Sequence, residues 1–455
     1  MHLDNAPASP QSGHLLAHVF GHRKALSASI LSQVVSSGTN FTLALVLVRV
    51  LSEADYGSFC LGIAVCYLYA GVGNSMLLLQ MVVHTPDKPH EERLPYAVRI
   101  LVAVVLFAAG TVVLTALGSY LVSGLWPGAN AQMTFAIAVA TASGCYLVKD
   151  YFVREAFVAR VEPRALAITC SVALSLAALL ALAWLCDISM TPERALIVFA
   201  ASQVAGATTG FTLARLPLQS FRSSAMLADL SGCWRGGLWL TSVSVTGWAK
   251  SEAYVYLTFI VLGAADTGRA NAARLLISPF LLISPAINAI TTPRFADMRT
   301  RDPRGMVRGG TAITAALLGL ALLYSTILLM TSESLVPAIL GPQYRNMRGP
   351  LAAWCVTLFA ILARDGATPV FVAMKRFRAL ASVNAATAAV SVVSVLGLMR
   401  VWGVTGAILG GAVGDLTQAA LLWGSLHHGA DSVPRPAHHV SLEQALPDGG
   451  SPTHR

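Results

Sequence analysis

Between Ile100 and Val148 the chain runs for 49 consecutive residues without a single Asp, Glu, Lys or Arg. A run of that length exceeds one membrane-crossing helix of about 20 residues and suits two. Ser123-Gly124-Leu125-Trp126-Pro127-Gly128 divides it. Pro and Gly there supply a turn, and the Trp suits a membrane–water interface. The expectation is a helical hairpin buried in lipid. The rest of the chain agrees with it: charged residues are 12% of 455 positions and hydrophobic residues 55%, against roughly 25% charged in a soluble domain. No large soluble domain is hidden between the apolar runs. The chain reads as an all-α polytopic membrane protein.

Apolar runs longer than about 17 residues predict helical spans. Twelve are expected, near 25–50, 57–83, 98–122, 133–153, 165–185, 195–213, 237–262, 268–291, 309–330, 350–374, 379–399 and 403–426. The first 25 residues lack a basic start followed by an apolar run and a small-residue cleavage site, so the first span is expected to be retained. With both termini placed in the cytoplasm, 22 of the 31 Lys and Arg residues fall on the inner side, six on the outer side and three within spans. That bias is the one expected of inner loops. It also accounts for a net charge of +9 without nucleic acid.

The longest inner connection, 216–236, separates a first lobe (25–215, six spans) from a second (237–426, six spans), with a cytoplasmic stretch 1–24 before them and a disordered tail 427–455 after. An internal echo supports the division. Val50-Leu51-Ser52-Glu53-Ala54-Asp55-Tyr56-Gly57 and Val261-Leu262-Gly263-Ala264-Ala265-Asp266-Thr267-Gly268 match at five of eight positions with an offset of 211. Each octet follows the first span of its lobe. Two parallel repeats with a central cavity between them are the expected architecture.

Several chemistries are missing. No Walker A pattern, HExxH or GxSxG occurs, no expected span holds a histidine, and the seven cysteines show no CxxC spacing. No catalytic residue, metal site or cofactor is therefore assigned, and the cysteines read as small apolar fillers.

Six ionisable residues lie well inside expected spans, all in the second lobe: Lys250, Glu252, Arg274, Arg364, Asp365 and Asp415. A charge at mid-bilayer costs roughly 2.5–3.5 kcal/mol on insertion scales, so it faces protein or a watery cavity. In one reading Lys250, Arg274 and Arg364 project into the cavity as a binding site for an anionic head group. In the other, three cations and three anions form internal ion pairs that tie helices together. Lys250 and Glu252 are two residues apart, about 200° around a helix, so at least one needs a partner elsewhere. Trp248 and Tyr254 flank them as candidate sugar-stacking rings, and Tyr67 and Tyr69 lie in the second span. Asn40, Asn74, Asn271 and Asn384 either line the cavity or bond across helices.

The segment Leu47–Val65, LVRVLSEADYGSFCLGIAV, resembles the Wzx-type O-antigen and exopolysaccharide flippases of the multidrug/oligosaccharidyl-lipid/polysaccharide exporter superfamily. So do Gly263–Gly268 with Asn271-Ala272-Ala273, and the turn Trp402-Gly403-Val404-Thr405-Gly406-Ala407. The resemblance covers nearly the whole chain by layout. It implies two lobes of six helices, alternating access, and an undecaprenyl-pyrophosphate-linked oligosaccharide moved across a bacterial inner membrane. Membrane lipid, a polysaccharide polymerase and a chain-length regulator are the partners it implies, with Lys250, Arg274 and Arg364 meeting the substrate. One departure is visible: the first lobe offers no expected buried cation beyond Arg49. A cation-coupled multidrug exporter, with Glu252 and Asp415 as coupling carboxylates, is the closest alternative. A membrane polymerase or ligase is disfavoured because the longest expected outer loop, Glu333 to Arg348, is short.

Overall fold

The computed structural model describes residues 12–125, 130–217, 219, 221, 223–374 and 376–431. The expected tail beyond 431, residues 1–11 and the turn residues Trp126, Pro127 and Gly128 lie outside the described residues. What is described is helical, with no strand among the described residues. The helices are α1 (Ser12–Val50), α2 (Glu53–Gly73) running through a π-helical turn (Asn74–Leu78) into α3 (Leu79–His84), α4 (His90–Leu125), α5 (Asn130–Val158), α6 (Glu162–Leu185) and α7 (Pro192–Ala214). Then follow α8 (Ser223–Val261), α9 (Ala264–Leu281), α10 (Ile283–Arg301), α11 (Pro303–Met330), the short α12 (Ser332–Leu340), α13 (Arg348–Ala373) and α14 (Phe377–Asp431).

All twelve expected spans fall on these helices. The eighth is interrupted at Leu282, three residues after Pro279. The last two are joined in α14 by one non-helical residue, Gly403, at φ 54°. That conformation favours glycine, which explains the Trp402-Gly403 turn. The stretch expected as a linker is helical from Ser223 onward, as the first turns of α8.

Eight helical segments are long and apolar enough to cross a membrane by length and composition. The segments below that threshold are α5, α8 and α9–α10, which carry Lys149, Lys250 and Arg274. Large apolar side chains point outward, among them Leu114, Trp184, Met330 and Val393. In water such exposure would be a liability; in a multi-pass membrane protein it is the surface that faces lipid.

The first lobe packs α1, α2 and α4–α7; the second packs α8–α11, α13 and α14. The lobes meet chiefly where α2 crosses α9 and α8. At the crossing, Gly57 and Gly268 lie back to back. A Cβ on Gly57 would collide with the Ala264 carbonyl oxygen, and one on Gly268 with the Glu53 carbonyl oxygen. These four residues are equivalent pairs in the echo, so the octets meet reciprocally, as two copies around a two-fold axis would. Glu53 also accepts from Arg269 Nε at 2.9 Å across the seam. Arg49 Nε donates to the Ile339 carbonyl at 2.7 Å, tying α1 to α12. Away from that end, Ser75 and Ser244 share a hydrogen bond of 2.6 Å between the π-turn and α8. Asp229, near the start of α8, takes Arg99 at 2.6 Å and Lys88 at 3.1 Å from the first lobe.

Candidate functional site: a polar cavity in each lobe

The six expected intramembrane charges come together in the second lobe. Asp415 on α14 places one oxygen, Oδ1, 2.8 Å from Lys250 Nζ on α8 and 2.6 Å from Arg364 Nη1 on α13. Arg364 turns its other donors to Asp365 Oδ1 at 2.7 and 2.9 Å. The second oxygen of Asp365 accepts from Ser284 at 2.9 Å. Lys250 also bonds Gln418, which bonds Asn384. The chain Ser284–Asp365–Arg364–Asp415–Lys250–Gln418–Asn384 thus ties α10, α13, α14 and α8 together. Two cations and two anions in it leave no net charge. Removing charges from water costs several kcal/mol per ion, and only pairing of this closeness offsets it.

Glu252, on the other side of α8, takes a different cation. Its Oε1 lies 3.5 Å from Arg274 Nη1 on α9. The 200° separation on the helix sends Lys250 to α14 and Glu252 to α9. Arg274 also donates to the Tyr254 hydroxyl at 3.0 Å, which donates to Asn271 Oδ1 at 2.9 Å. Its guanidinium lies over the Tyr254 and Trp354 rings, at 5.9 and 5.7 Å from their centres.

Lys250, Arg274, Arg364, Asp365, Asp415 and Tyr254 all border one cavity of about 470 Å³. Glu252 and Trp248 do not border it. Trp248 donates its indole N–H to the Ala64 carbonyl at 3.0 Å in the first lobe and tilts over Tyr256 at 4.7 Å. It is a contact between lobes.

The first lobe holds a second polar cavity, of about 390 Å³, bordered by α1, α2, the π-turn, α5 and α6. Here the expectation of no buried cation beyond Arg49 is overturned. Lys149, counted from sequence among the inner-side cations at the end of the expected span 133–153, lies within α5, about two and a half turns before its end. Its side chain is only 7% exposed. The apolar run before it ends at Val148, but the helix continues to Val158, carrying Lys149, Asp150 and Arg154 inward. Arg154 Nε pairs with Asp150 Oδ2 at 3.1 Å. Lys149 Nζ is 3.9 Å from Asp150 Oδ1, too far for a hydrogen bond, and sits 4.3 Å over the Tyr146 ring. The three charges on this cavity leave one net positive charge.

Three further ion pairs also escaped the sequence reading: Arg99–Asp229, Lys88–Asp229 and Arg164–Glu155, the last at 2.8 Å. Lys88, Arg99 and Arg164 are among the 22 cations counted on the inner side. The available signal was helical spacing: Tyr146, Lys149 and Val153 recur at three and four positions, the spacing of one helix face. The paired cations at Asp229 show that the first turns of α8, expected from sequence as a linker, are folded against α4.

No protein-family model matches the chain, and no curated protein matches it. Solved structures do share its fold. One is the lipid II flippase MurJ in an inward closed conformation, at 11% identity over 88% of each chain, with TM-score 0.71. Another is a multidrug resistance MATE family transporter of the MOP superfamily in an inward-facing conformation, at 12% identity over 88% of this chain and 98% of that one, with TM-score 0.68. An outward-facing MATE family transporter superposes at TM-score 0.58, at 14% identity over 90% of this chain and 96% of that one.

Proposed function

We propose that this chain is an alternating-access flippase of the bacterial inner membrane that moves an undecaprenyl-pyrophosphate-linked oligosaccharide for surface polysaccharide synthesis. The observation that carries the reading is the pairing of a lipid-facing apolar surface with two polar, aromatic-bordered cavities, one per lobe, in a fold shared with MurJ and MATE transporters. The saccharide head passes through the polar interior while the prenyl chain stays in lipid. The basic residues concentrated at one side support a cytoplasmic location for both termini. The Gly57–Gly268 seam then lies at the outer side, where the two lobes are closed against each other.

In this reading Lys250, Arg274 and Arg364 meet the pyrophosphate, and Asp415, Asp365 and Glu252 hold them in the unloaded state. A substrate that replaces those carboxylates changes which helices are tied together, which is the differential interaction a conformational change requires. The polysaccharide polymerase and chain-length regulator are the protein partners this function names. A cation-coupled multidrug exporter is the competing reading; it makes Asp415 and Glu252 the coupling groups.

Deletion of the chain's gene with complementation decides between them. Loss of surface polysaccharide, restored by the parent protein and not by Lys250→Gln or Arg364→Gln expressed at the same level, is the expected result. Unchanged surface glycans together with raised drug sensitivity would assign the exporter function instead.

A further inference from the structure

We infer that the cavity of the first lobe is a binding site for a polyhydroxylated ligand carrying one oxyanion, with Lys149 as its anion-binding residue and Asn74 as a hydroxyl acceptor. This deepens the proposed function, on which it rests, by assigning the head group to a lobe and giving it a charge.

Two independent groups in this cavity lack a hydrogen-bond partner among the described residues. The first is the Lys149 ammonium, which makes no hydrogen bond among the described residues although its side chain is 7% exposed. Its neighbour Asp150 is already engaged by Arg154. The second is Asn74 Oδ1, which is buried and accepts no hydrogen bond among the described residues. Asn74 opens the π-helical turn (Asn74–Leu78) between α2 and α3. Such turns are rare and recur at functional sites. Both residues border the same 390 Å³ cavity. A lysine amine without a hydrogen bond and a buried amide oxygen without a donor call for a ligand that brings an anion and a hydroxyl together.

The rest of the cavity fits that ligand. Tyr67 and Tyr146 meet edge to face at 5.5 Å and border it. Short polar side chains of α1, including Gln33 and Asn40, line the other side. Aromatic rings beside amide and hydroxyl groups suit a sugar, whose ring has an apolar face and polar edges. The cavity's single net positive charge matches one carboxylate, as on an acidic sugar, better than the several charges of a pyrophosphate. A phosphate monoester supplies the same oxyanion chemistry from a different source.

Binding to the purified full-length protein in detergent tests this, with three probes measured by calorimetry: a hexuronate trisaccharide, the matching neutral trisaccharide, and inorganic phosphate. Saturable binding of the hexuronate, at least tenfold weaker binding of the neutral trisaccharide, and loss of tenfold or more in affinity on Lys149→Gln are expected. Lys149→Arg should retain most of the affinity, and Asn74→Ala should weaken both trisaccharides together. Lys149-dependent binding of phosphate in place of hexuronate keeps the site and assigns a phosphorylated head group. Absence of binding by all three probes, or affinity lost in Lys250→Gln and kept in Lys149→Gln, overturns the proposal. Unfolding temperature measured on each variant shows whether it remains folded. Because binding is read without transport, hexuronate binding by a protein that does not restore surface polysaccharide would retain the site and remove the flippase reading. Restored polysaccharide without binding would do the reverse.

Discussion

The two cavities differ in how their charges are met. In the second lobe Asp415 serves Lys250 and Arg364 with one oxygen, Asp365 serves Arg364 again, and Glu252 faces Arg274. In the first lobe Asp150 is shared unevenly, 3.1 Å from Arg154 and 3.9 Å from Lys149. The second lobe has spent its charges on holding helices together, and a ligand must compete for them. The first lobe keeps a cation that makes no hydrogen bond among the described residues and sits over an aromatic ring. Buried charge is therefore two different things in one molecule: a strut in one half, an open valence in the other.

This contrast makes quantitative predictions. Asp415→Ala should have the largest effect, because it leaves buried Lys250 without a carboxylate and Arg364 with Asp365 alone; a loss of about 3–5 kcal/mol is expected in reversible unfolding. An unchanged unfolding curve would show that the second-lobe network is not structural. Next come Gly57→Val and Gly268→Val, each of which drives a side chain into backbone. Each should cost about 1–3 kcal/mol, and the two costs should be similar because the contact is reciprocal. Clearly unequal costs would remove the two-fold reading of the seam.

A double-mutant cycle then compares the lobes directly. Lys250→Gln with Asp415→Asn should show a coupling of about 1–3 kcal/mol, and Lys149→Gln with Asp150→Asn less than about 0.5 kcal/mol. Equal couplings would erase the distinction between strut and open valence. Lys149→Met should be close to neutral in stability, within about 1 kcal/mol, since Asp150 keeps Arg154 and a thioether packs well on Tyr146. The smallest effect belongs to Glu252→Gln. Its partner Arg274 is 35% exposed at 3.5 Å, so screening should leave well under about 1 kcal/mol.

Much of the fold was legible from local pattern. Uninterrupted apolar runs mark helices because a helix needs only its own residues to satisfy its backbone in lipid, and the echo around Gly57 and Gly268 marked the repeat. The second-lobe charges were equally visible, since Lys250, Arg364 and Asp415 stand inside apolar runs. Lys149 was not, because it stands at the end of one. Where a run stops, hydropathy cannot distinguish a helix leaving the membrane from a helix turning a charged face inward. Trp248 was misleading for a related reason: its position beside Lys250 says nothing about its face, and the ring turns to Ala64 in the other lobe.

The sequence by itself determined where the twelve long apolar helices run and that Lys250, Glu252, Arg274, Arg364, Asp365 and Asp415 must be reconciled with an apolar surrounding, because these follow from neighbours within a few turns. Only the tertiary structure decided the partners. Lys250 reaches Gln418, 168 positions away, and the same helix sends Glu252 to Arg274, so the balance of charge in each cavity is a property of how α8, α9, α13 and α14 cross. Ion pairing acts over a few ångströms of space, and sequence distance carries no record of it.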